Sequence, residues 1–148
     1  MTKAYKGAIL YFLLFSTLLL ISSILLFEYK IGFSIEEVSR YYLGDEELFI
    51  PTKTVSGILK ITLPHIFVFG LFSMVVLHFI VFTSYREKKN TTILVYLLFI
   101  SSFFELFSPI IIILGFESFA YLKLFSFFVF ECLIIYILYL LFFSIVYE

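Results

Sequence analysis

Residues 62–84 read TLPHIFVFGLFSMVVLHFIVFTS, a run without a formally charged side chain that nevertheless holds both histidines of the chain, His65 and His78. At a helical rise of about 1.5 Å per residue, a stretch of this length crosses a hydrocarbon core of about 30 Å. Lipid offers no partner to backbone N–H and C=O groups, so the run is predicted to be a transmembrane helix. Three further segments qualify: Ala8 to Phe27 is uncharged, Asn90 to Phe116 carries only Glu105, and Leu124 to Tyr147 carries only Glu131. The predicted spans are 7–28, 62–85, 91–115 and 120–146 within a single transmembrane domain, 1–148.

The bulk composition agrees. Of 148 residues, 63% are hydrophobic and 14% charged, with 22 Phe, 11 Tyr and no Trp. Soluble domains run at about 45–50% apolar and 25% charged. A net charge of −1 provides no basic surface for nucleic acid, and no Cys/His cluster, glycine-rich phosphate loop or nucleophile motif is present. These features exclude the soluble-enzyme and nucleic-acid-binding classes. The single cysteine, Cys132, lies in an apolar stretch and reads as a small lipid-facing or core side chain.

Lys3 and Lys6 precede the first span, and Arg86, Lys88 and Lys89 separate the second from the third. The positive-inside rule makes that side cytoplasmic, so both termini are predicted to face the cytoplasm. The first apolar run exceeds a signal-peptide core and no A-x-A site follows it, which reads as an anchor. Residues 29–61 form the one sizeable loop, predicted to be extracytoplasmic. Within it, Ser34 and Glu37 have capping-box spacing and Gly44 supplies a stop, which predicts an interfacial helix over 35–43. Pro64 either opens the second membrane helix or kinks one that began near Thr54. Pro109 falls inside the third span, where it frees the carbonyl of Glu105.

The ionisable groups within the spans are the candidate functional residues, because such groups normally turn toward a bundle interior or a ligand. Ser101, Glu105 and Ser108 recur at i, i+4 and i+7 and form a polar stripe on the third span. By helical rise, Glu131 falls near the level of Glu105, so the two carboxyls are expected to share a layer, a proton or a serine hydrogen bond. His65 and His78 are candidate axial ligands of haem b iron, since bundles seat cofactors between facing helices. Their separation is about 19 Å of rise and about 220° of rotation, so either a homodimer supplies four histidines, or a single haem takes one histidine with a different second ligand such as Met74 or a partner's side chain. Alternatively, each imidazole forms a hydrogen bond near one interface, or His65, Glu105, Glu131 and His78 make a ladder for protons.

The run YYLGDEE, Pro51, Thr62 with His65 and Phe67, His78, Thr83, the ELFSP of Glu105 to Pro109, and Lys123 together resemble a family of small, largely uncharacterised bacterial four-span inner-membrane proteins. The similarity covers most of the chain from the first loop onward. That family has T-H-x-H-hydrophobic-F opening span two, a G-H pair near its end, and an acidic residue before Ser-Pro-Trp on span three. Here Leu63, Leu77 and Ile110 stand at the first histidine, the glycine and the tryptophan. The resemblance implies a bacterial inner membrane and singles out His65, His78 and Glu105. The resulting expectation is an all-α, antiparallel, integral membrane four-helix bundle. Its first functional reading is a small cytochrome b-like or respiratory accessory protein passing electrons to or from quinone or a partner subunit. The alternatives are a cofactor-free interaction or assembly subunit of a larger membrane complex, and a proton or small-solute conduit.

Overall fold

The computed structural model describes residues 3–147 and consists of five α-helices: α1 (Lys3–Lys30), α2 (Ile35–Leu43), α3 (Val55–Ile80), α4 (Lys89–Ile113) and α5 (Phe119–Tyr147). All but α2 are long and apolar enough to cross a membrane, with mean hydropathy of 2.0–2.5 over their best windows. The chain is thus an all-helical, four-span membrane protein, its long helices running alternately up and down. The α4–α5 pair makes the most extensive contact, and α1 and α3 flank it. The most apolar windows of α4 and α5 are each 44% buried, against 22% for α1 and 17% for α3.

One end of the bundle holds the termini. Lys6 Nζ donates to the carbonyl of Ile145 at 3.0 Å, and the Tyr5 ring meets Phe79 and Phe82 edge-on. The α3–α4 connection closes the same end. The main core packs Ile9 and Leu13 of α1, Val76 of α3, Leu98 of α4, and Ile134 and Leu141 of α5.

The other end is covered by α2, and local chemistry fixes where that helix starts and stops. Ser34 Oγ accepts from Glu37 N at 3.1 Å while Glu37 Oε2 accepts from Ser34 N at 2.9 Å, satisfying two backbone donors that a helix start leaves unpaired. Gly32, at φ +95°, makes the turn out of α1, and a Cβ there would collide with the Glu37 carboxylate. Val38 and Tyr42 pack on Ile58, Ile112 and Ala120, so α2 lies across the ends of α3, α4 and α5. The same packing buries the Tyr42 phenol, which pushes its pKa well above the usual range; the nearby Glu105 and then Tyr41 add to the shift.

The second span starts and ends earlier than its hydropathy implies. Thr54 Oγ1 accepts from Gly57 N at 3.1 Å and starts α3 at Val55, so residues 55–61, read from sequence as loop, are helical and Pro64 lies inside the helix. At the far end Thr83 Oγ1 donates to Ile80 O at 2.8 Å and accepts from Tyr85 N at 3.2 Å, turning the chain after Ile80.

Candidate functional site

Pro109 has no N–H, so the carbonyl of Glu105 one turn earlier loses its usual intrahelical donor. A bare carbonyl at this depth has no water to turn to, and leaving it unpaired costs about 1–3 kcal/mol. Lys123 supplies the donor. From α5 its Nζ donates to the Glu105 carbonyl at 2.9 Å and also to Glu105 Oε1 in an ion pair. An ammonium has three N–H donors. Two point at Glu105, and the group lies 5.7 Å from the centroid of the Phe27 ring on α1. Glu105, Pro109 and Lys123 are all buried, so one cation ties α4 to α5 and touches α1.

A second polar contact joins α1 to α5. Ser23 Oγ donates to Glu131 Oε1 at 2.7 Å, while Glu131 Oε2 is buried without a hydrogen-bond partner among the described residues. Glu131 lies two turns beyond Lys123, about 12 Å further along α5. Between them Phe127 stacks on Phe27 with ring centroids 3.8 Å apart. The order along the interface is therefore Lys123 with Glu105, then the two rings, then Ser23 with Glu131.

Among the described residues no hydrogen bond joins Glu105 to Glu131; Glu131 takes the expected serine hydrogen bond, from Ser23, and Glu105 bonds to Lys123. Sequence reading named Lys123 in the resemblance but gave it no role, because hydropathy treats a lone lysine as the margin of a span. The signal that identifies it is the carbonyl freed by Pro109 together with the carboxylate of Glu105, which call for a multivalent donor. The polar stripe does face inward, since Ser101, Glu105 and Ser108 are buried. Its serines bond their own helix: Ser101 Oγ donates to Leu98 O at 3.0 Å, and Ser108 Oγ donates to Phe104 O.

The histidines lie elsewhere. His65 and His78 are both exposed on α3. The Nδ1 of His65 is 2.7 Å from Ile61 O one turn earlier, and its ring meets Phe69 edge-on; His78 meets Phe82 in the same manner. His65 is about 15 Å from the start of α3, within the depth of a hydrocarbon core. With about 220° of rotation between them, the two rings point to different sides of the helix. Among the described residues, no hydrogen bond joins the two imidazoles to each other or to Glu105 or Glu131. Met74, weighed as a second ligand, is also exposed on α3.

No curated protein and no solved structure matches the chain. One family model does, a transmembrane helical domain, over residues 32–148. The match takes in α2 to α5, with both Lys123 and Glu105 and the freed carbonyl between them, and leaves out α1. On that match, extending over more than half of its length, the chain belongs to the Aq_1264_TM family of transmembrane helical domains.

Proposed function

We propose that this protein is an accessory subunit of a larger membrane assembly, held to it through the outer surface of α3. One observation carries this reading: His65 and His78, the two imidazoles of the chain, face out of the bundle from the spanning helix with the least buried window. Ionisable side chains at membrane depth almost always face a protein interior, because lipid cannot solvate them. For α3 that interior belongs to the assembly, where a neighbouring helix offers a carboxylate or carbonyl to each ring. Glu105 and Lys123, by contrast, are neutralised within the chain.

The membrane we assign is the bacterial inner membrane, with both termini cytoplasmic. Among the described residues, the end carrying the termini holds Lys3, Lys6, Arg86, Lys88 and Lys89 against Glu87, in line with the positive-inside rule. Haem b fits this reading in one form: a guest at the α3 surface with one axial ligand from His65 or His78 and the other from the neighbouring subunit.

The test is a photoreactive residue at position 65 or 78, with Tyr11 on the exposed face of α1 as the control, illuminated in native membranes. The expected result is one discrete polypeptide adduct at each α3 position and only lipid adducts at position 11. On a native gel the unmodified chain is expected to migrate with its partner, and His65→Leu with His78→Leu to release it. A chain that runs as a monomer in mild detergent and captures only lipid from α3 refutes the reading. An absorption spectrum of the gently purified complex separates the haem form: a Soret band lost in His65→Ala or His78→Ala supports it, and a spectrum without that band after haem-replete expression removes it.

A further inference from the structure

The end of the bundle opposite the termini is acidic. Glu28, Glu36, Glu37, Asp45, Glu46, Glu47 and Glu117 make seven carboxylates against four cations, Lys30, Arg40, Lys53 and Lys60, a net of −3. Three of those four cations nevertheless converge on one cavity of about 240 Å³, lined by Lys30, Ile31, Glu37, Arg40, Tyr41, Ile50 and Lys53. Its lining sums to three positive charges and one negative, and with Asp45, the partner of Arg40, counted the net is +1. Glu37 has Oε2 turned into the α2 cap, where it accepts from Ser34 N. Arg40 is aligned by Asp45, with Nε 3.0 Å from Oδ2. Neither Lys30 nor Lys53 forms a salt bridge among the described residues, and Lys53 Nζ is held 4.8 Å from the centroid of the Tyr41 ring.

Depth and surroundings identify the occupant. α1 has 28 residues, about 42 Å of rise, so a hydrocarbon core of about 30 Å leaves its last residues, Lys30 included, at headgroup level. Beside the cavity the chain presents apolar side chains outward: Tyr29 is 88% exposed and Phe49 93%. Phe49 is held there by construction. Asp45 and Ile50 exchange backbone hydrogen bonds at 2.9 Å, Asp45 Oδ1 accepts from the backbone N–H groups of Glu47 and Leu48, and Phe49 takes φ +54°. A ring this exposed beside membrane-depth helices is positioned to enter the interface between headgroups and acyl chains.

We propose that this cavity binds the phosphate of an anionic phospholipid headgroup, with Lys30, Arg40 and Lys53 as its cationic ligands and Phe49 against the glycerol and upper acyl region. The source is the lipid leaflet on the α2 side rather than free phosphate, because the cavity opens at headgroup depth and its neighbours are apolar. Each lysine contributes about fivefold to such binding at moderate salt.

The experiment titrates the purified full chain in detergent with phosphatidylglycerol, phosphatidylcholine or inorganic phosphate and reads bound lipid by native mass spectrometry. The expected result is a clear preference for phosphatidylglycerol over phosphatidylcholine. Lys30→Gln with Lys53→Gln is expected to weaken phosphatidylglycerol binding on the order of 25-fold. Arg86→Gln with Lys88→Gln, at the opposite end, is expected to leave it within about twofold. Circular dichroism verifies that each variant retains its helices. Undiminished phosphatidylglycerol binding in the folded Lys30/Lys53 variant, or equal binding of both lipids by the wild type, overturns the proposal. Displacement of the lipid by millimolar inorganic phosphate assigns the site to the free ion and likewise overturns it.

Discussion

Replacing Lys123 by Met keeps the length and apolar stem of the side chain but removes its ammonium, leaving the Glu105 carboxylate and the carbonyl freed by Pro109 buried together. The side chains of Lys123 and Glu105 are 5% and 11% exposed, so water compensates for little of the loss. Removing one partner of such a pair costs about 3–5 kcal/mol. For a chain of this size that is a fall of roughly 6–20 °C in the unfolding midpoint. Adding Glu105→Met removes the stranded charge and is expected to recover all but about 1–3 kcal/mol, the share of the carbonyl that still lacks a donor. Adding Pro109→Ala then restores an N–H to that carbonyl and is expected to recover about 1 kcal/mol more. The assay is reversible unfolding in mixed micelles, followed by circular dichroism, for the single, double and triple variants. A Lys123→Met variant within about 1 kcal/mol of wild type would refute the reasoning, as would a double variant whose loss equals the sum of its single variants.

Three other perturbations test neighbouring parts of the structure. Ser23→Ala removes the one hydrogen-bond donor to the Glu131 carboxylate among the described residues and is expected to destabilise by about 1–3 kcal/mol, with little further loss when Glu131→Leu is added. Ser34→Ala opens the α2 cap; a loss of about 1 kcal/mol is expected, seen as faster hydrogen exchange over 35–43 with exchange in α4 unchanged. The Ser34 hydrogen bonds lower the Glu37 pKa, so the carboxylate's contribution is complete above the usual glutamate range and is lost as pH falls through the lower folded value. Protection factors over 35–43, exchange rates corrected for the intrinsic pH dependence, should therefore fall in acid in the wild type and lose that fall in Glu37→Gln. Phe27→Ala removes both the ring stacked on Phe127 and the face beneath Lys123, with an expected loss of about 3–5 kcal/mol in the same unfolding assay.

The fold was legible because lipid imposes a simple rule: four uncharged or singly charged runs of spanning length become four helices. The α2 cap was legible too, since Ser34 and Glu37 interact within one turn and need nothing from the rest of the chain. Span ends were less legible. Thr54 and Thr83 set the limits of α3 through single hydroxyl contacts, which a hydropathy average over twenty residues does not register. In the site, the effect of Pro109 on the Glu105 carbonyl followed from covalent structure, whereas the donor that answers it comes from another helix and depends on how α4 meets α5. The separate partners of Glu105 and Glu131 are of the same kind. Counting helical rise gave their approximate depths, but the choice of Lys123 for Glu105 and of Ser23 for Glu131 depends on how the helices meet. The outward direction of His65 and His78 depends on which face of α3 is buried, and an almost uniformly apolar helix leaves that face unmarked in its sequence.

The central claim is that buried charge in this bundle is resolved across the α4–α5 interface, and Lys123 with Glu105 is the one lysine–glutamate salt bridge among the described residues. Protein labelled with ¹⁵N-lysine and ¹³C-glutamate and placed in lipid bilayers gives a direct measurement by solid-state dipolar recoupling between ammonium nitrogen and carboxylate carbon. The account expects one strong ammonium–carboxylate correlation, protected from exchange with bulk water and absent in Lys123→Met. A spectrum without that correlation, or one that keeps it after the substitution, would contradict the account.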